Sequence, residues 1–194
     1  PGTMRFIARS VRGELELTRG NVRTAALIQR VSLRYAGNWR SILGSGSQWE
    51  LYILSMCLVT DVELSPDDAV ELDARAVRAR ATSLLREILS DPAPRQRDIP
   101  TLMAFAAAVG LSAVAAEDAG SDWRAVGGEL VATALAVGTN QTCRLLSHDY
   151  LRSRTERLDA RALAQAEERI RSLDRGGLVA HAADLAGRLA GEVG

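Results

Sequence analysis

Lysine is absent from this 194-residue chain, whose 24 basic residues are all arginine. A Walker-type phosphate loop, a pyridoxal Schiff base, a kinase-type lysine and a serine–lysine dyad each need an ammonium group or its free amine, so none can operate here. Histidine is almost as scarce, with only His148 and His181, and a histidine-rich metal cage is excluded with it. The two cysteines, Cys57 and Cys143, sit within apolar helical patterns as small buried hydrophobes, so neither a disulfide framework nor a zinc site is expected. Aromatic residues make up only 4% of the chain, and no segment alternates polar and apolar residues as a half-buried strand does.

Helix signals recur instead. Asn21 stands before a segment running to about Ala36, with Val22, Ala25, Ala26, Ile28 and Leu33 as candidate core positions. Gly44-Ser45-Gly46-Ser47 forms a loop, and Ser47 with Glu50 has capping-box spacing ahead of Leu51, Leu54, Leu58 and Val59. Ser65-Pro66-Asp67-Asp68 opens a helix predicted to continue to Leu89, with Val70, Val77, Ala81, Leu84, Leu85 and Ile88 on one apolar face. Residues 91–98 (DPAPRQRD) are polar and proline-bearing, a possible subdomain boundary within a single all-α domain spanning 1–194.

The run from Ile99 to Ala116 carries no charge over eighteen residues, near the lower limit for a membrane span. Its alanine-rich composition favours a buried central helix. A second apolar helix begins near Ser121 and includes Gly127-Gly128, whose small size allows close packing. A further helix is predicted from about Thr139 or Asn140 to Arg157. Asp159 then caps an amphipathic helix with Leu163, Ala166, Ile170 and Leu173 inward, ended by Gly176-Gly177, and Leu178 to Leu189 closes the fold. The expectation is an all-α bundle or irregular array of about eight helices.

Formal charge is zero, yet it is distributed in blocks: residues 1–48 carry eight Arg and two Glu, and residues 49–73 seven acids and no Arg. On one continuous helix Arg5, Arg12, Arg19, Arg23, Arg30 and Arg34 fall within about 60° of one another, at about 100° per residue. A break at Gly13 or Gly20 leaves Arg19, Arg23, Arg30 and Arg34 as the candidate binding face. Such a face suits a nucleic-acid backbone or another anionic partner, or pairs with the acidic block. Phe6, Tyr35 and Trp39 are too few to make a base-stacking platform.

The other concentrated polar group is Arg144-Leu145-Leu146-Ser147-His148-Asp149-Tyr150, where Arg144 and His148 share a face if the segment is helical. It resembles the arginine-to-histidine motif of the HEPN family, with a shorter spacing than that family's. The resemblance implies a helical RNA- or nucleotide-phosphate-processing enzyme with Arg144 and His148 over the scissile phosphate. His148-Asp149 is also similar to the central dyad of HD-domain phosphohydrolases, but no histidine precedes His148 to complete their metal site. Leu145 and Leu178, three before each histidine, exclude the Glu-x-x-His pairs of di-iron bundles.

No complete catalytic set emerges, and no cofactor or metal is expected. The leading expectation is a non-enzymatic helical interaction or regulatory protein, cytoplasmic and open to self-association, which contacts another macromolecule through helix faces. Pro1-Gly2-Thr3 ahead of Met4 has the look of a cloning remnant, and no signal-peptide run follows it.

Overall fold

The computed structural model describes residues 2–43, 48–90, 98–116, 120–139 and 143–191; of residues 2–7 and 36–43 only the helical backbone is described. Within these residues there are nine α-helices and one 3-10 turn, with no strand. They are α1 (Gly2–Thr18), α2 (Val22–Leu43), α3 (Gln48–Asp61), α4 (Pro66–Glu71), α5 (Ala74–Leu89), α6 (Ile99–Ala115), α7 (Ser121–Val137), the turn Arg144–Leu146, α8 (His148–Ile170) and α9 (Arg175–Gly191). The fold is an all-α helical array. The expected loop at Gly44–Ser47, most of the polar stretch 91–98 and the helix start at Asn140 lie outside the described residues.

Helices that are apolar all round belong in the middle of a bundle. In α6 every residue from Leu102 to Val114 is buried, and in α7 every residue from Val126 to Leu135. With α3 they form the centre, against which α2, α5, α8 and α9 lay their apolar stripes while α1 pairs with α2. The main core joins Leu33, Leu54 and Leu85 to Phe105, Leu130 and Leu185, so it draws on both sides of residues 91–98. Among the described residues no helix is long and apolar enough to cross a membrane.

Local chemistry accounts for most helix starts. Ser65, Asp73, Asp98 and Ser147 each accept a hydrogen bond from the backbone N–H three residues on. Pro66 and Pro100 occupy first turns, where a missing N–H costs nothing. Asp159 has a non-helical backbone inside α8 and accepts from Ala162 N at 2.8 Å, so the predicted cap is present as a kink within one longer helix. Ser121, by contrast, is the first residue of α7 and makes no side-chain cap from the preceding position, which is Gly120.

Three boundaries differ from the sequence expectation. The helix predicted from Ser65 to Leu89 is two, because Asp73 adopts φ 51°, ψ 50° and restarts the chain as the N-cap of α5. That break turns Val70 away from the core, leaving it 83% exposed. Gly176-Gly177 does not end a helix; it lies in the first turn of α9, where Gly177 N donates to Asp174 Oδ1 at 2.7 Å, and Leu173 is exposed in the preceding turn. The predicted helix through Arg144 and His148 is interrupted by Ser147, whose backbone is extended at φ −66°, ψ 151°.

Candidate functional site

The arginine-rich and acidic blocks meet. Gly20, at φ +82°, breaks the N-terminal helix and folds α1 back on α2, so no continuous arginine stripe exists. Arg19, just past the end of α1, pairs with Glu16 of that helix at 3.3 Å. Arg23 forms ion pairs with Asp68 and Glu71 of α4, which lift its pKa. Arg30 reaches Asp61 at 2.9 Å and donates through Nε to the Leu72 carbonyl at 3.1 Å. Of the four candidate binding arginines, only Arg34 is exposed without an ion-pair partner among the described residues.

The Arg30–Asp61 pair is the most deeply placed of these. Asp61 ends α3 after ten uncharged residues, Leu51 to Thr60, and only 6% of its side chain meets solvent. Burial pushes its carboxyl up to about 6 against the opposing pull of Arg30. Asp61 Oδ1 and Arg30 Nη1 are buried without hydrogen-bond partners, a costly condition for charged groups. Asp61 lines a groove of about 630 Å³ between α4, α5, α6 and α8, together with Val62, Leu64, Pro66, Val70, Asp73, Arg75, Arg78, Ser112, Ala116 and Leu158. Within it Arg78 is held by the Ser112 carbonyl at 3.4 Å and by the face of Trp123, 5.4 Å from the ring centre.

A second cavity, about 320 Å³, opens between α1, α3, α6 and the 3-10 turn. Its walls include Val11, Glu14, Trp49, Tyr52, Asp98, Thr101 and Cys143. Burial pushes the Cys143 thiol up to about 11, with the Glu14 carboxylate adding to the effect, so the sulfur stays protonated at neutral pH. Cys57, fully buried, is pushed up to about 12 by the same desolvation. Neither thiol is an activated nucleophile.

Arg144 and His148 are separated by the break at Ser147: Arg144 lies exposed in the 3-10 turn, and His148 is the first residue of α8. The one-turn helical geometry that would aim both at one phosphate is not formed. The neighbouring Tyr150 hydroxyl donates to Glu63 Oε1 at 3.2 Å, and Arg154 pairs with the same carboxylate, tying α8 to the end of α3.

The other histidine has a partner that sequence reading overlooked. Glu129, on α7, accepts from Arg169 Nε at 3.0 Å and Nη2 at 2.7 Å on one oxygen, and from His181 Nε2 at 2.8 Å on the other. One carboxylate therefore joins α7, α8 and α9. The available signal was that Glu129 is the sole charge between Ala125 and Cys143. Among the described residues no three His, Cys, Asp or Glu side chains group closely enough to hold a metal ion. No protein-family model matches the sequence, and no curated protein or solved structure matches it either.

Proposed function

We propose that this is a non-enzymatic helical interaction or regulatory protein, and that the groove between α4, α5, α6 and α8 receives an amphipathic helix of a partner protein. The observation that carries this reading is Asp61, whose side chain is more than nine-tenths buried and whose Oδ1 has no hydrogen-bond partner, on a groove whose other walls combine apolar side chains with Asp73, Arg75 and Arg78. A basic side chain entering the groove supplies the missing donor and a complementary charge together. The apolar face of the same helix covers Val70 and Leu158, which are 83% and 46% exposed at the rim. Exposed Arg75 offers an anchor for an acidic residue on that helix. A reducing cytoplasmic setting accords with two free buried thiols. The separation of Arg144 from His148 gives no support to phosphate processing, and the pairing of Arg23 and Arg30 leaves little of the arginine face for nucleic acid.

Display of an amphipathic-helix library on the purified protein tests the proposal. Selected helices are expected to carry a basic residue within an apolar face and to bind Val70→Asp and Asp61→Asn at least tenfold more weakly than the parent. Val70→Asp sits on an exposed position and leaves the melting temperature unchanged, so a loss there reports the groove. Equal binding to parent and Val70→Asp, or selection of no helix at all, removes the reading. A concentration-dependent dimer in light scattering that Val70→Asp dissociates would replace the partner by a second copy of this chain.

A further inference from the structure

The 320 Å³ cavity between α1, α3, α6 and the 3-10 turn is separate from the groove and has a different chemistry. Trp49 and Tyr52, three residues apart on α3, both line it, so two aromatic rings share one wall. Glu14 of α1 and Asp98 at the start of α6 also line it. Carboxylates beside aromatic faces attract cations, through charge and through the negative face of each ring. The metal alternative is weak: Glu14, Asp98 and Cys143 do not close into a group able to hold an ion. The volume, at the lower end for ligand pockets, suits a compact organic molecule.

We propose that this cavity binds a small organic ammonium ion, with Glu14 supplying the counter-charge and Trp49 and Tyr52 the aromatic wall. Asp98 is already engaged with Thr101, its Oδ2 accepting from the hydroxyl at 2.6 Å and its Oδ1 from the backbone N–H, so it contributes field more than direct contact. Glu14 is a half-buried carboxylate beside Cys143 and one of the residues lining the cavity. The thiol, held neutral by burial, adds no competing negative charge and no covalent chemistry.

Isothermal titration with choline, and with the neutral carbon isostere in which a quaternary carbon replaces its nitrogen, decides the matter. Choline is expected to bind saturably and the isostere at least tenfold more weakly. Glu14→Gln, which keeps size and polarity, is expected to lower choline affinity at least tenfold with an unchanged melting temperature. Val11→Trp, which fills the mouth from an exposed position, is expected to abolish binding. Absence of choline binding to the parent, equal binding of the isostere, or unchanged affinity in both variants overturns the proposal. Because Val70 and Asp61 line the groove and not this cavity, the Val70→Asp variant retains choline binding whatever becomes of the partner helix.

Discussion

A Cβ placed on Gly110 would stand 2.6 Å from the carbonyl oxygen of Gly127, and one placed on Gly127 would stand 2.7 Å from the carbonyl oxygen of Gly110. The backbones of α6 and α7 touch at this point, with no side chain between them able to yield. Gly110→Ala and Gly127→Ala must therefore push the two central helices apart, at a cost of about 1–3 kcal/mol each or more, the range for overpacked cores. Gly128→Ala is the control. Its Cβ would meet Ala162 at an ordinary 3.6 Å, and alanine's better helix propensity offsets any residual crowding. Urea denaturation should give a lowered midpoint for the first two variants and an unchanged or raised one for the third.

Glu129 is the only charged residue in the buried stretch of α7, and its carboxylate accepts from two helices. Burial pushes this carboxyl upward, but the hydrogen bonds from Arg169 and His181 outweigh that cost and hold it below its ordinary value. A depressed carboxyl contributes stability that is present above the unfolded-state value of 4.5 and is lost as pH falls through the lower folded value. Glu129→Gln should cost about 1–3 kcal/mol at neutral pH, since Arg169 is half exposed and partly solvated when unpaired. The difference between parent and variant should shrink in acid below that window. A gap that stays constant down to acid would mean the carboxylate charge is not what stabilises the junction.

Both thiols should be inert in the native protein. Cys57 is fully buried and Cys143 is 6% exposed, and desolvation raises each thiol well above neutral pH. Ellman's reagent at pH 8 is expected to label two thiols in denaturant and none rapidly without it. Fast labelling of one thiol in the folded state would contradict the burial of the 3-10 turn against α3, where Cys143 Sγ lies 3.6 Å from Met56 Sδ.

The helical class was legible, and so were the caps at Ser65 and Asp159, because caps are local: each acts through an N–H three residues away, a distance set by sequence spacing. The breaks were less legible. Asp73 interrupts a good helical pattern by taking a left-handed backbone, which its short polar side chain tolerates and then uses to cap α5. Ser147 interrupts another with an extended backbone, capping His148 onward instead of continuing the turn that holds Arg144. The site residues were hidden for a different reason. Glu14, Tyr52 and Cys143 come from three distant stretches, and only tertiary packing sets them around one cavity. The arginine and acidic blocks were visible as composition, whereas the pairing of Arg30 with Asp61 depended on α2 crossing the end of α3.

That pair sets the last prediction, which concerns pH. The Asp61 carboxyl is raised from 3.8 to about 6, chiefly by burial. A raised carboxyl favours the folded state below the unfolded value and loses that advantage as pH rises through the folded one, so stability should fall between about pH 4 and pH 6 on this account. The shift corresponds to a change of about 3 kcal/mol. Asp61→Asn should flatten the slope in that window, while Asp61→Ala, which leaves buried Arg30 without its partner, should destabilise the fold strongly at every pH. Partner binding should run in the opposite direction. A basic helix entering the groove needs the carboxylate, so its affinity should rise as pH passes through about 6, and in Asp61→Asn it should be weak and independent of pH in that range. Parallel melting curves and binding isotherms from pH 4.5 to 7.5 separate the two effects, because only the binding slope requires the groove to be occupied.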